Sequence, residues 1–239
     1  MTKVTVGTRR VEHTLTWLRA LCSFGVGLST RLPLAPTALG VTWRIVTDAS
    51  PWGGGAVLYH DGRAIEWLST DWGRTETEQL GADVGSHKWQ ATYEALAVLV
   101  AVRAFSGSWG EEFLDLGIGS DSMATLGALE KGRSSSPGMN RIVREITLDE
   151  ALSTNGFALV LRHLPAKENL LADALSRLGE PGSGAVVPPE LAQLPRRAAE
   201  DRGPAWWRAG GRAESVVAEE GAEEAPRSRV PEDSLPPRA

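Results

Sequence analysis

The stretch WRIVTDASPWGGGAVLY, residues 43–59, runs from an apolar segment through Asp48 and three successive glycines into a second apolar segment. Short β-branched runs of this kind, broken by Ser, Pro and Gly, predict two strands built for burial. The Asp61-Gly62 pair then predicts a tight turn into RAIEWLST, a third strand, so the three form an antiparallel meander. Asp48 ends the first strand, and the question it raises is why a carboxylate stands between two segments meant for a core.

Downstream, after a polar loop, HKWQATYEALAVLVAVRAFSG is apolar on nearly every side from Ala95 to Ala104, which predicts a helix covered on more than one face. FLDLGIGSD reads as a strand, SMATLGALEKG as a short helix and NRIVREITLDEALSTNG as a helix stopped by Gly156. FALVLRHL reads as a strand, and ENLLADALSRLG as a helix with Leu171, Leu175 and Leu178 on one stripe and Gly179 as its stop. The order βββαβααβα predicts an α/β fold: a mixed five-stranded sheet with helices packed on it.

This domain spans residues 41–179. Residues 1–40 hold a predicted amphipathic helix near 11–22 and then an irregular stretch, and read as a lead-in. Residues 180–239 carry nine of the 14 prolines without helical or strand period and are expected to be disordered, with Trp206 and Trp207 incidental or a short docking element. The single cysteine, Cys22, excludes an internal disulfide and a cysteine-based zinc site, and suits an intracellular setting, cytoplasmic or nuclear. No apolar run approaches the roughly 20 residues that span a bilayer, so a soluble chain with no membrane partner is expected.

The net charge is −5, but it is unevenly spread: residues 1–40 carry five Lys/Arg against one Glu, and residues 41–179 carry 12 against 18 acids. The bulk field of the middle repels phosphates, so a nucleic-acid partner needs local basic patches or metal ions.

Four acids occupy comparable places: Asp48 and Asp121 at strand ends, Glu94 in the central helix and Asp173 in the last helix. Each has an ordinary explanation. Asp48 suits a turn before Ser50-Pro51, Glu94 the N-terminal half of a helix, Asp121 a helix N-cap, and Asp173 an ion pair with Arg177 one turn later. Yet Glu94 is the one acid of a helix otherwise built for burial, and a buried carboxylate needs a partner or a cation. Strand-end acids of an α/β sheet point out of one edge, and convergent carboxylates suit hard divalent ions.

In order and placement these segments resemble the ribonuclease H family. TDAS…GAVL, YEALAVLVA, SDSMATL and RHLPAKENLLADALSRL are similar to its local signatures, the last to the terminal ribonuclease H segment of gypsy-like and related retrotransposon reverse transcriptase polyproteins. The resemblance covers residues 41–179. It implies a ribonuclease H-like fold that hydrolyses the RNA strand of RNA/DNA hybrids with two Mg2+ ions, Mn2+ serving as a substitute. By the same resemblance Asp48 bridges the two ions, Asp173 completes the site of one, and Glu94 and Asp121 complete the other. His163, ten residues before Asp173, matches the family's loop histidine and would assist proton transfer or product release. Ala49, Ser50, Gln90, Ser122 and Asn169 are the expected substrate contacts, and residues 53–55 would either let the hybrid approach the backbone or only turn the chain.

Two departures stand out. KGRSSSPGMN is too short for the basic protrusion with which some members grip the hybrid, and no Tyr/Phe-x-Asp-Asp polymerase motif occurs. A polymerase partner is therefore expected, with the chain a polyprotein fragment or detached copy and residues 1–40 a remnant of the connection. The alternatives are a DNA nuclease of the same superfold, transposase- or integrase-like, and a catalytically decayed hybrid-binding module.

Overall fold

In the computed structural model, the described residues are 42–109, 115–147, 149 and 158–207. The helix expected near 11–22, the C-terminal part of the helix expected to run to Gly156, and the tail beyond residue 207 lie outside them.

The meander forms as its sequence requires. Strand β1 (Trp43–Ala49) pairs antiparallel with β2 (Gly53–His60), which pairs antiparallel with β3 (Arg63–Asp71). The β2–β3 turn has positive φ at both Asp61 (49°) and Gly62 (77°), the backbone that an Asp-Gly pair supplies to a two-residue hairpin. Strands β4 (Asp115–Ser120) and β5 (Ala158–His163) then add in parallel on the far side of β1, giving the sheet order β3-β2-β1-β4-β5. The chain has the mixed five-stranded sheet that its sequence predicts.

Among the described residues five α-helices accompany the sheet: α1 (Arg74–Leu80), α2 (Gln90–Phe105), α3 (Met123–Lys131), α4 (Pro137–Thr147) and α5 (Leu170–Ser176). Helix α1 is an addition to the predicted order, formed where a polar loop was expected. Helix α2 is buried from Thr92 to Arg103, so its apolar surface is covered on several sides. It lies in the main core with Ile45, Leu58, Leu116 and Ile118 of the sheet and Ile142 of α4. A smaller cluster on the other sheet face joins Val57 and Trp67 to Leu175 and Leu191, with Leu171 and Leu178 packed against it. The predicted leucine stripe of the last helix thus meets the sheet. Among the described residues no helix is long and apolar enough to cross a membrane.

The expectation of disorder from residue 180 is overturned as far as residue 207. That segment passes along the edge strand β3: Trp67 N donates to Pro195 O at 3.1 Å and Arg197 N to Trp67 O at 2.8 Å. It then inserts Trp206 and Trp207 into the main core, with Trp207 fully buried. Buried Arg103 of α2 closes this end by donating to the Trp206 carbonyl at 2.6 Å while pairing with Glu145 and Asp149. Disorder was expected because the segment is proline-rich and has neither helical nor strand period. Its leucine and tryptophan side chains nonetheless find cores to enter, and the sheet edge pairs with part of its backbone.

Candidate active site

At the turn after β1, Ser50 Oγ accepts from Trp52 N and Gly53 N, both at 3.2 Å, and donates to Ser176 O of α5 at 2.8 Å. Trp72 stacks on Tyr93 of α2 and donates its indole Nε1 to Ser50 O at 3.0 Å. These bonds anchor the end of the strand that carries Asp48.

Residues 53–55 are strand residues of β2, not a loop. A Cβ on Gly55 would lie 2.6 Å from both Leu175 Cβ and Ser176 N, and one on Gly53 would lie 3.2 Å from Ser176 O. A Cβ on Gly54, on the opposite face, would strike the Trp72 ring at 2.6 Å. What comes close to these glycines is the protein itself: helix α5, Trp72 and, 2.6 Å from a Cβ on Gly53, the Thr70 carbonyl of β3.

The close packing of α5 brings Ser176 to Asp48. Ser176 Oγ donates to Asp48 Oδ2 at 2.8 Å, and Asn169 Nδ2 donates to Thr47 O at 2.9 Å and to Asp48 Oδ1 at 3.3 Å. Asp48 is buried. Burial pushes its carboxyl up to about 7, opposed by the Ser176 hydroxyl, while the charges of Asp173 and Asp121 push the same way as burial and Arg177 opposes them.

Glu94 projects from the first turns of α2 into the same place. Gln90, one turn earlier, donates Nε2 to Glu94 Oε1 at 2.9 Å and to Ala49 O. Glu94 Oε2 is buried with no hydrogen-bond partner among the described residues. Burial holds this carboxyl well above the usual range, reinforced by Asp48 and Asp121 and opposed by Gln90 and the Ala49 backbone. Asp121, half-exposed just beyond β4, completes the cluster: one carboxylate oxygen each from Asp48, Glu94 and Asp121 lie within 4.8 Å of one another. Three oxygen ligands, one of them a buried orphan, fit a hard divalent cation and suit neither zinc nor a soft metal.

The other expected site residues fall differently. Asp173 is outside this close group and pairs instead with Arg177 at 2.8 Å, the ordinary reading of its spacing. Asp121 is not the N-cap of α3; Ser122 is, its Oγ accepting from Thr125 N at 3.3 Å. His163 is the exposed last residue of β5, opposite Ser120 in register, and so sits on a strand end and not on a loop. Ala49, Ser50 and Asn169 are buried; the Ser50 hydroxyl and the Asn169 amide nitrogen bond within the protein and hold the β1 end, while Asn169 Oδ1 is buried with no hydrogen-bond partner among the described residues. Gln90 spends both amide hydrogens on Ala49 and Glu94, so it too acts within the site.

Ser176 is the residue that sequence reasoning missed. Its signal was present: Ala172 and Ser176, four apart, make a small-residue face on α5, the counterpart of Gly53 and Gly55 on β2.

No family model matches the chain, and neither does any curated protein. Among solved structures, the chain is similar to ribonuclease H1 of the halophilic archaeon Halobacterium salinarum, at 22% identity and a TM-score of 0.42, over 56% of this chain and 92% of that one. A ribonuclease H1 isolated from compost by a metagenomic approach matches at 17% identity and a TM-score of 0.45, over 57% and 93%. The protease-reverse transcriptase of prototype foamy virus matches at 13% identity and a TM-score of 0.33, over 66% of this chain and 19% of the viral one.

Proposed function

We propose that the chain is a metal-dependent endoribonuclease that hydrolyses the RNA strand of RNA/DNA hybrids, a ribonuclease H domain of, or derived from, a gypsy-like retrotransposon reverse transcriptase. The observation that carries this reading is that one carboxylate oxygen each of Asp48, Glu94 and Asp121 lie within 4.8 Å of one another, two of these residues being buried. It occurs on the elements, and in the order, that the sequence resemblance requires.

In this reading Asp48 would serve two Mg2+ ions, or Mn2+ in their place, one shared with Asp173 and the other with Glu94 and Asp121. Such ions would supply Lewis-acid activation of water and stabilisation of the departing oxygen at a phosphodiester. The chain's own residues do the rest. Gln90 holds the Glu94 carboxylate by its Oε1 and leaves Oε2 free as a ligand. Asn169 and Ser176 hold Asp48 from both of its oxygens. His163, the exposed last residue of β5 opposite Ser120, would exchange protons with solvent at the leaving group. Among the described residues Ser122 Oγ accepts from Thr125 N and donates to none, so its hydroxyl hydrogen would serve an RNA 2′-hydroxyl or phosphate oxygen beside Asp121.

The test offers the full chain end-labelled RNA/DNA hybrid, single-stranded RNA, duplex RNA and duplex DNA, with Mg2+ or Mn2+. The expected result is cutting of the hybrid's RNA strand alone, leaving 5′-phosphate and 3′-hydroxyl ends. Preferential cutting of duplex DNA, or an intact hybrid in both metals, overturns the proposal.

A further inference from the structure

We propose that Ser176 is a positioning residue that sets the orientation of the Asp48 carboxylate for a divalent cation, an inference that rests on reading Asp48, Glu94 and Asp121 as metal-binding acids. Space alone does not explain a serine here. The approach of α5 to Gly55 demands a small residue, and alanine meets that demand one turn earlier at Ala172. The hydroxyl therefore has a separate role.

Ser176 Oγ lies 2.8 Å from Asp48 Oδ2 and 2.9 Å from the Asp173 carbonyl in its own helix. A single hydroxyl hydrogen cannot serve both fully, and a carboxylate is the stronger acceptor. The opposing bond, from Asn169 to Asp48 Oδ1, is longer at 3.3 Å, and its amide also serves Thr47 O. Ser176 is thus the shorter of the two restraints on a buried carboxylate. Its own backbone is fixed in turn, because Ser50 Oγ donates to Ser176 O and Ser69 Oγ to Leu175 O at 2.9 Å. Three serines from three elements thereby lock the C-terminal end of α5 against the strand that carries Asp48. Groups that orient a ligand in this way tune affinity for the metal as strongly as many direct contacts do.

The experiment measures Mn2+ binding by calorimetry and thermal melting in EDTA for the full-length wild type, Asp48→Asn, Ser176→Ala and Ser69→Ala. Ser69→Ala removes a bond to the same helix end but leaves the Ser176–Asp48 contact, so it should lower the melting temperature and weaken Mn2+ binding much less than Ser176→Ala does. Ser176→Ala should weaken Mn2+ binding by about tenfold or more and raise the Mn2+ concentration for half-maximal hybrid cleavage, with KM for the hybrid unchanged. If Ser176→Ala does not fold, Ser176→Cys, of similar size but a weak donor, replaces it with the same expected loss. Wild-type binding that is lost in Asp48→Asn but unchanged in the Ser176 variant overturns the role of Ser176 alone. A wild type that binds no Mn2+ overturns the reading of the acids and this proposal together.

Discussion

Arg177 Nε lies 2.8 Å from Asp173 Oδ1, and both side chains are close to half-exposed. Asp173, the fourth acid of the proposed site, is therefore already paired one helical turn away. Exposed pairs of this kind contribute about 1 kcal/mol or less, so an incoming cation can displace the guanidinium. Arg177→Ala should change stability by less than about 1 kcal/mol and lower the Mn2+ concentration needed for half-maximal cleavage. Melting curves and a metal titration check the two halves, and a higher metal requirement would show that Arg177 assists the site instead of competing within it.

The acids also set a pH dependence of stability in the metal-free protein. Asp48, with an ordinary value of 3.8, is pushed up to about 7 in the fold. Between those values the native state binds more protons than the unfolded chain, so stability falls as pH rises through that window. Glu94 is shifted in the same direction and adds to the trend. In EDTA the melting temperature should drop from pH 5 to pH 7.5, and Asp48→Asn should flatten the drop. Millimolar Mg2+ should raise the melting temperature most at the alkaline end, because a ligand that binds the native state stabilises it.

Gly55→Ala tests the close packing of α5. The added methyl would lie 2.6 Å from Leu175 Cβ and Ser176 N, and backbone on one side cannot yield cheaply. The expected destabilisation is about 1–3 kcal/mol, read by urea denaturation. The displaced helix should also weaken Mn2+ binding, since Ser176 then no longer reaches Asp48.

Trp207→Ala should destabilise the domain by about 3–5 kcal/mol, the range for a fully buried aromatic. Ending the chain at residue 179 should do more. It removes Leu191, Trp206 and Trp207 from the two cores and bares the β3 edge, so the shortened protein should aggregate. Light scattering of the two lengths side by side reads this directly.

The parts of this molecule that were legible in sequence are those whose signals are local. The β1–β2 run, the Asp61-Gly62 turn and the apolar helix around Glu94 carry their structure in their own spacing, and the strand-end acids follow from them. Helix α1 was not legible because its surface is polar; only Glu76 and Leu80 are buried, and Glu76 is held by Arg202, 126 residues later. The docking of residues 180–207 depends on a sheet edge that no local pattern announces. Ser50, Gln90 and Asn169, expected to contact substrate, each donate hydrogen bonds within the protein. Whether a polar side chain faces ligand or protein is decided by partners distant in sequence, as Ser176 is for Ser50.

The most direct test of the account compares wild type with Asp48→Asn on a labelled RNA/DNA hybrid, with Mg2+, with Mn2+ and with EDTA, after both proteins are shown to melt cooperatively. The account predicts cleavage of the RNA strand by the wild type in either metal, none in EDTA, and loss to background in Asp48→Asn with its fold retained. Equal cleavage by the two proteins, or cleavage that persists in EDTA, would contradict it.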